Sequence, residues 1–344
     1  METMYTYTPE GRVCEETRQD GAQRHYTYNA AGLPKTMTDY DGGTTTYSYD
    51  ENNRLVSVTD AEGGRVSYAY DGENRPVSMT DACGNTRHYA YNGACISSMT
   101  DGEGNIWRYT YDAMNRRLTE TDPLGNILSY TYDAKGRCTA ETDAEGNTAY
   151  YTYDAAGNVT AITDREGNTS TFVYDKMNRM LSGMDPLGNT LTFTYDANGN
   201  RLTETDAAGN VVSYAYDNQN RVKTETDAEG RITAYTYDGA DRTVSVTDRL
   251  GHTRLYAYDS VTGALVSQTD ERGNKTVYEL DVCGRMTGIL YADGSRMYYA
   301  YDKLGRITAL TDRLGLTISV SYDKCGNPVS LTEGGERTYF YQSA

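Results

Sequence analysis

A tyrosine, usually followed by aspartate and a turn, returns every 21 residues along this chain, and so short a period leaves few architectures open. It stands at Tyr7, Tyr28, Tyr49, Tyr70, Tyr91, Tyr111, Tyr132, Tyr153, Tyr174, Tyr195, Tyr216, Tyr237 and Tyr258, gives way to Leu280, and resumes at Tyr301 and Tyr322. Sixteen copies fill the chain. A unit of this length cannot bury an apolar face alone, so it must stack on its neighbours, and function has to be sought in the array. No composition shift interrupts the period, which predicts a single array over residues 1–344 with no separate effector domain. Both ends cut through a repeat, as expected of a piece of a longer array.

Composition supports this. The chain has 34 tyrosines against three phenylalanines and one tryptophan, so tyrosine must supply much of the buried area. A net charge of −17, spread along the repeats, opposes phosphate binding and argues against a nucleic-acid partner. The apolar runs are too short for a membrane span, and Met1 leads into the repeat without the pattern of a signal peptide.

Each copy contains two turn clusters. In the copy from Tyr195 to Ala215, Asp-x-x-Gly-Asn begins at Asp196 and again at Asp206, leaving segments of about six residues that suit strands. The aspartate carboxylate can close an Asx-turn, and a residue three places on must tolerate positive φ. That residue in the first turn is Gly, Asn or Asp in fourteen copies, including Gly32, Asn53, Asn115 and Asp241. The second turn has glycine in all sixteen, among them Gly42, Gly63, Gly84, Gly125, Gly146, Gly167, Gly188, Gly209, Gly230, Gly251 and Gly335. Spacing contracts after Tyr91, where Asn92-Gly93 predicts a two-residue type I′ turn, and lengthens after Tyr258, where the extra residue delays glycine to Gly263. Strand lengths stay constant, since a one-residue slip would reverse every side chain.

Strand alternation places Tyr214 and Tyr216 on one face, with Tyr109, Tyr111 and Trp107 likewise sharing a face. Stacked copies then form a structural tyrosine ladder through Tyr49, Tyr70, Tyr111, Tyr132, Tyr153, Tyr174, Tyr195, Tyr216, Tyr237 and Tyr258, held by cross-strand aromatic contacts. The other strand of each copy is less regular and should be partly solvated. The expected fold is all-β: tandem antiparallel hairpins in one long, strongly curved or spiralling sheet. Some 32 strands would make a ribbon on the order of 150 Å wide, which twist must curl, giving a diameter of about 50 Å if rolled into a ring.

The run Tyr195-Asp196-Ala197-Asn198-Gly199-Asn200-Arg201-Leu202 resembles the YD repeat of the Rhs family, which includes polymorphic toxins, the B and C components of Tc toxins, and teneurins. The resemblance extends over essentially residues 5–341. It implies hairpin strips forming a hollow shell, which in the toxins encloses a C-terminal effector, and it implies a secreted or cell-surface location. Toxin relatives carry paired Asp-Pro-x-Gly motifs linked to self-cleavage. Asp122-Pro123-Leu124-Gly125 and Asp185-Pro186-Leu187-Gly188 are similar only superficially, because both occupy ordinary second turns, where proline suits the first central position.

Chemistry-bearing residues do not converge on a site. The aspartate columns lack the ligand density of calcium loops and fit Asx-turns better. His25, His88 and His252 fall in different copies and suit strand surfaces, while Cys14, Cys83, Cys95, Cys138, Cys283 and Cys325 are irregularly placed and default to free thiols. No catalytic residue, cofactor or metal is expected. The leading reading is a non-catalytic shell wall whose partner is the remainder of the same polypeptide. The alternative is an adhesion or carbohydrate-binding module that presents tyrosine faces to a cell-surface glycan or protein.

Overall fold

The computed structural model describes residues 3–333 and the backbone of residues 337–340, and the turn at Gly335 lies outside them. Among the described residues there are 33 strands and no helix. The strands are four to seven residues long and belong to one sheet in which sequence neighbours pair antiparallel. The chain divides into two compact units, one formed by residues up to Tyr89 and from Arg254 onward, the other by Ala90–Thr253.

Four strands of the second unit illustrate the repeat: β12 (Arg117–Thr121), β13 (Ile127–Tyr132), β14 (Cys138–Thr142) and β15 (Thr148–Tyr153). The β13–β14 hairpin closes with Gly136 N donating to Asp133 O and Asp133 N donating to Arg137 O. Its register steps from Thr131↔Ala140 to Tyr132↔Cys138, a bulge that recurs in neighbouring copies and raises local twist. By contrast, β12 and β13 are joined by only three residue pairs, Thr119↔Ser129, Glu120↔Leu128 and Thr121↔Ile127, all near the second turn. Towards the first turn, Arg117 and Tyr132 lie beyond the paired stretch.

Turn chemistry follows residue type. Gly136 has φ 84°, and the places held by other residues are also left-handed, from Asn53 at 62° to Asp241 at 63°. The lengthened turn runs from Asp259 to Ala264, with Gly263 N donating to Asp259 O. The contracted turn differs from the expected type I′ at Asn92-Gly93. Asn92 ends its strand, the next strand begins at Cys95, and of the two linking residues only Gly93 has positive φ, at 59°. Glycine at the first central position with an ordinary second residue fits type II′.

The two sheet faces differ. The rings of the tyrosine ladder are half-buried on one face, and among the described residues Ala140 and Ala149 alone are buried apolar side chains. The opposite face carries threonine pairs, including Thr110–Thr119 at 2.6 Å and Thr142–Thr148 at 2.8 Å. Packing therefore comes from rings lying along the sheet, without an aliphatic centre.

Within the first unit, two stretches far apart in sequence meet edge to edge. Second turns of the early copies face first turns of the late ones: Arg18 donates to Val282 O, Lys303 N donates to Glu62 241 residues away, and Arg285 lies 3.1 Å from Asp41. Cys83 and Cys325 form a disulfide across this seam, with Cα atoms 5.5 Å apart and a sequence separation of 242. This corrects the expectation that all six cysteines are free thiols, which holds for Cys14, Cys95, Cys138 and Cys283. Two unrelated-looking turn positions become neighbours only once the stretches are laid side by side.

Candidate functional site

The recurring constellation lies at the first-turn edge and joins each copy to the next. Asp133 Oδ1 accepts hydrogen bonds from the backbone N–H groups of Lys135 and Arg137 at 2.8 and 3.0 Å, closing the Asx-turn. Its Oδ2 accepts from Arg137 Nε at 2.7 Å. The other side of that guanidinium reaches into the next copy, where Nη1 donates to Asp154 O at 2.9 Å and Cζ sits 4.5 Å from the centre of the Tyr153 ring. Tyr153 returns the connection by donating its hydroxyl to Cys138 O at 2.7 Å. Aspartate, arginine and tyrosine thus bridge the strands where the backbone ladder has opened.

The same bridge repeats along both units. Arginine stacks on tyrosine at Arg54–Tyr70, Arg116–Tyr132, Arg179–Tyr195, Arg221–Tyr237, Arg285–Tyr301 and Arg306–Tyr322. Tyr70, Tyr132, Tyr195, Tyr216 and Tyr237 each donate to a carbonyl fifteen residues earlier, as Tyr153 does. Asparagine substitutes for arginine in some copies: Asn158 and Asn200 hold their own turn aspartates and reach Asn178 and Asn220 in the next copy. Tyr49 and Tyr174 follow Leu33 and Asn158 at the arginine's place, and Tyr111 follows the contracted turn. Tyr258 closes the strand before the lengthened turn.

The second turn that follows Thr121 is closed by its own residues. Asp122 Oδ1 accepts from Leu124 N and Asn126 N, while Oδ2 accepts from Asn126 Nδ2. The glycines at 42, 63, 84, 125, 146, 167, 188, 209, 230 and 251 all have positive φ, between 78° and 94°, and a Cβ added at any of them would meet nothing within 4 Å. Backbone conformation, not crowding, selects glycine there. The Pro123 and Pro186 turns are ordinary members of this series, with Asp185 accepting from Leu187 N and Asn189 N.

The electrostatics are those of turn closure. The Arg137 backbone N–H, with the Arg137 guanidinium, holds the Asp133 carboxyl below its usual range, and Asn126 does the same for Asp122. Desolvation raises the Tyr132 and Tyr153 hydroxyls above theirs. His25 faces Glu15 on a strand, whereas His252 takes the asparagine place of a second turn, with Nδ1 3.3 Å from Asp248, and so departs from the expected strand position. Among the described residues no three His, Cys, Asp or Glu side chains converge as metal ligands, and no helix is long and apolar enough to cross a membrane.

Sequence reasoning identified the tyrosine column and the turn glycines but missed the arginine four residues after the aspartate. Its recurrence at 54, 75, 116, 137, 179, 221, 242, 285 and 306 was the available signal. It also assigned the rings to aromatic stacking, whereas guanidinium groups lie over many of them.

Residues 125–261 match the family model for the teneurin YD-shell, and residues 28–65, 49–86, 89–127, 258–296 and 301–338 match that for the RHS repeat, together more than half of the chain. No curated protein matches the sequence. The fold is similar to part of the crystal structure of TcdB2-TccC3-Cdc42, at 15% identity and TM-score 0.81 over 98% of this chain and 22% of that one. TcdB2-TccC3 without its hypervariable C-terminal region gives 16%, 0.81, 98% and 22%, and TcdB2-TccC3 gives 14%, 0.73, 98% and 24%. This chain spans less than a quarter of each of these three solved chains, and at such identities the likeness is one of fold.

Proposed function

The chain belongs to the RHS-repeat family, and on that footing we propose that its sixteen copies act as one array, part of a shell wall that encloses another segment of the same polypeptide. Its role is structural. The wall is non-catalytic and works outside the cell that makes it, keeping the enclosed segment apart until release.

The observation that carries this reading is the seam. Turns more than 240 residues apart are joined by hydrogen bonds, an ion pair and a disulfide, so two margins of the hairpin strip are sealed against each other within the first unit. A strip that only displayed a recognition face would gain nothing from sealed margins. The stacked arginines also cover ring faces that a sugar would need, which disfavours the glycan-binding alternative.

The test uses the natural polypeptide that contains these repeats. Limited proteolysis should leave a segment outside the array intact while it is joined to the repeats, and digest it quickly when it is produced alone. Equal digestion in the two settings would remove the enclosure reading.

A further inference from the structure

One place on the tyrosine face of the second unit lacks both members of a side-chain pair that fills it in two other copies. In the copy at Glu141, Arg165 reaches back from the next second turn to Glu141 at 2.5 Å and to Asp143 at 3.5 Å. Arg249 likewise reaches Glu225 and Asp227. Two copies after Glu141 the equivalent positions are Gly183 and Ala207, so both members of the pair are missing. Asp185, the counterpart of Asp143, has no ion pair among the described residues; its carboxylate accepts from Leu187 N, Asn189 N and Asn189 Nδ2 within its own turn.

Around this place lies an open hollow of about 600 Å³ whose lining includes Phe172, Met180, Leu191 and Phe193, with Asp185 and Asp206 as its carboxylates. Gly183 pairs with Phe172 on one side and Leu191 on the other, leaving bare backbone at the floor. It is the only glycine at this strand position in the sixteen copies, and two of the chain's three phenylalanines flank it. A Cβ at Gly183 would lie 3.4 Å from the Phe172 ring, an ordinary contact, so neither backbone conformation nor crowding demands glycine here. Glycine inside a strand is one way to let another group approach the backbone closely.

We propose that this pit binds an extended polypeptide segment through an arginine flanked by apolar residues, the guanidinium taking the place beside Asp185 that Arg165 takes beside Asp143. The arginine stem and its apolar neighbours lie against Phe172, Leu191 and Phe193. Charge complementarity selects the occupant: an unpaired carboxylate at the rim of an apolar pit, in a chain of net charge −17. The proposal rests on the shell-wall reading only for the source of such a segment, an enclosed part of the polypeptide.

The 344-residue chain is titrated with a fluorescent acetylated Gly-Leu-Arg-Phe-Gly amide and with its citrulline analogue, which keeps the shape and loses the charge. Saturable binding is expected, at least ten-fold weaker for citrulline. The double variant Gly183→Glu/Ala207→Arg restores the pair found in other copies, and should unfold at the same or a higher temperature while binding the arginine peptide at least ten-fold more weakly. Asp185→Asn, which keeps the Asx-turn acceptor, should abolish the preference for arginine over citrulline. No saturable binding, or equal binding by the parent and the stably folded double variant, overturns the pit. Neither result bears on protease protection in the natural polypeptide, so the two readings fail separately.

Discussion

The Arg137 guanidinium is held edge-on by the carboxylate of its own copy and face-on by the Tyr153 ring of the next, so one side chain belongs to two repeats. Tyr153→Phe keeps the ring but leaves the Cys138 carbonyl without its donor, and should lower stability by about 1 kcal/mol in urea unfolding. A double-mutant cycle with Arg137→Gln and Tyr153→Leu should give a coupling of about 0.5–1 kcal/mol. Strict additivity would mean that ring and guanidinium are neighbours without interaction.

Gly188 has φ 88° with open space around it. Gly188→Ala should therefore destabilise by about 1–2 kcal/mol, and Gly188→Asn by less, because asparagine tolerates the left-handed region. Thermal unfolding of the three proteins orders them. An alanine variant as stable as the parent would mean that the turn changes type at little cost.

Acid should dismantle the array cooperatively. The turn carboxylates, Asp133 and Asp122 among them, have folded pKa values below their unfolded ones, so the unfolded chain binds more protons. Their stabilisation is present above the ordinary aspartate value of about 3.9 and is lost as pH falls through the lower folded values. Circular dichroism followed downward in pH should show a steep transition starting below that point. A broad loss centred near neutrality would point to histidines instead.

Alkali acts through the tyrosines with the opposite sign. Burial raises Tyr132, Tyr153 and Tyr237, and raises Tyr40, whose hydroxyl also donates to Glu16, to about 12. Their contribution is present below the unfolded tyrosine value of about 10 and is lost as pH rises through the folded values. Tyrosinate absorbance should lag free tyrosine and then rise together with loss of β-sheet signal.

The Cys83–Cys325 link spans 242 residues, so reduction should release about 2–4 kcal/mol of stabilisation. Peptide mapping without reductant should recover these two cysteines joined and the other four alkylated. Cys83→Ser should unfold like the reduced parent, whereas Cys95→Ser should unfold like the oxidised one.

The fold was legible because everything that defines it is local. Two-residue alternation, aspartate at the head of each turn and glycine three places on all fall within one copy, as in Asp206 to Gly209. The bridge was not, because Arg137 meets Tyr153 sixteen residues later, and asparagine or leucine takes the arginine's place in other copies. The seam was further out of reach, since no spacing rule relates Cys83 to Cys325. Gly183 stood unremarked in the less regular strand of each copy, and only the folded chain brings Ala207 to the same hollow.

The Arg137 bridge is head-to-tail: the copy that carries it offers a guanidinium forward and receives that of Arg116 on its Tyr132 from behind. Whole 21-residue units can therefore be duplicated or deleted by recombination between copies without leaving a mismatched joint, whereas an exchange out of phase strands a donor or an acceptor. Such a lineage can change the length of its array in a single genetic event, and the phase of the repeat is the quantity that selection must protect.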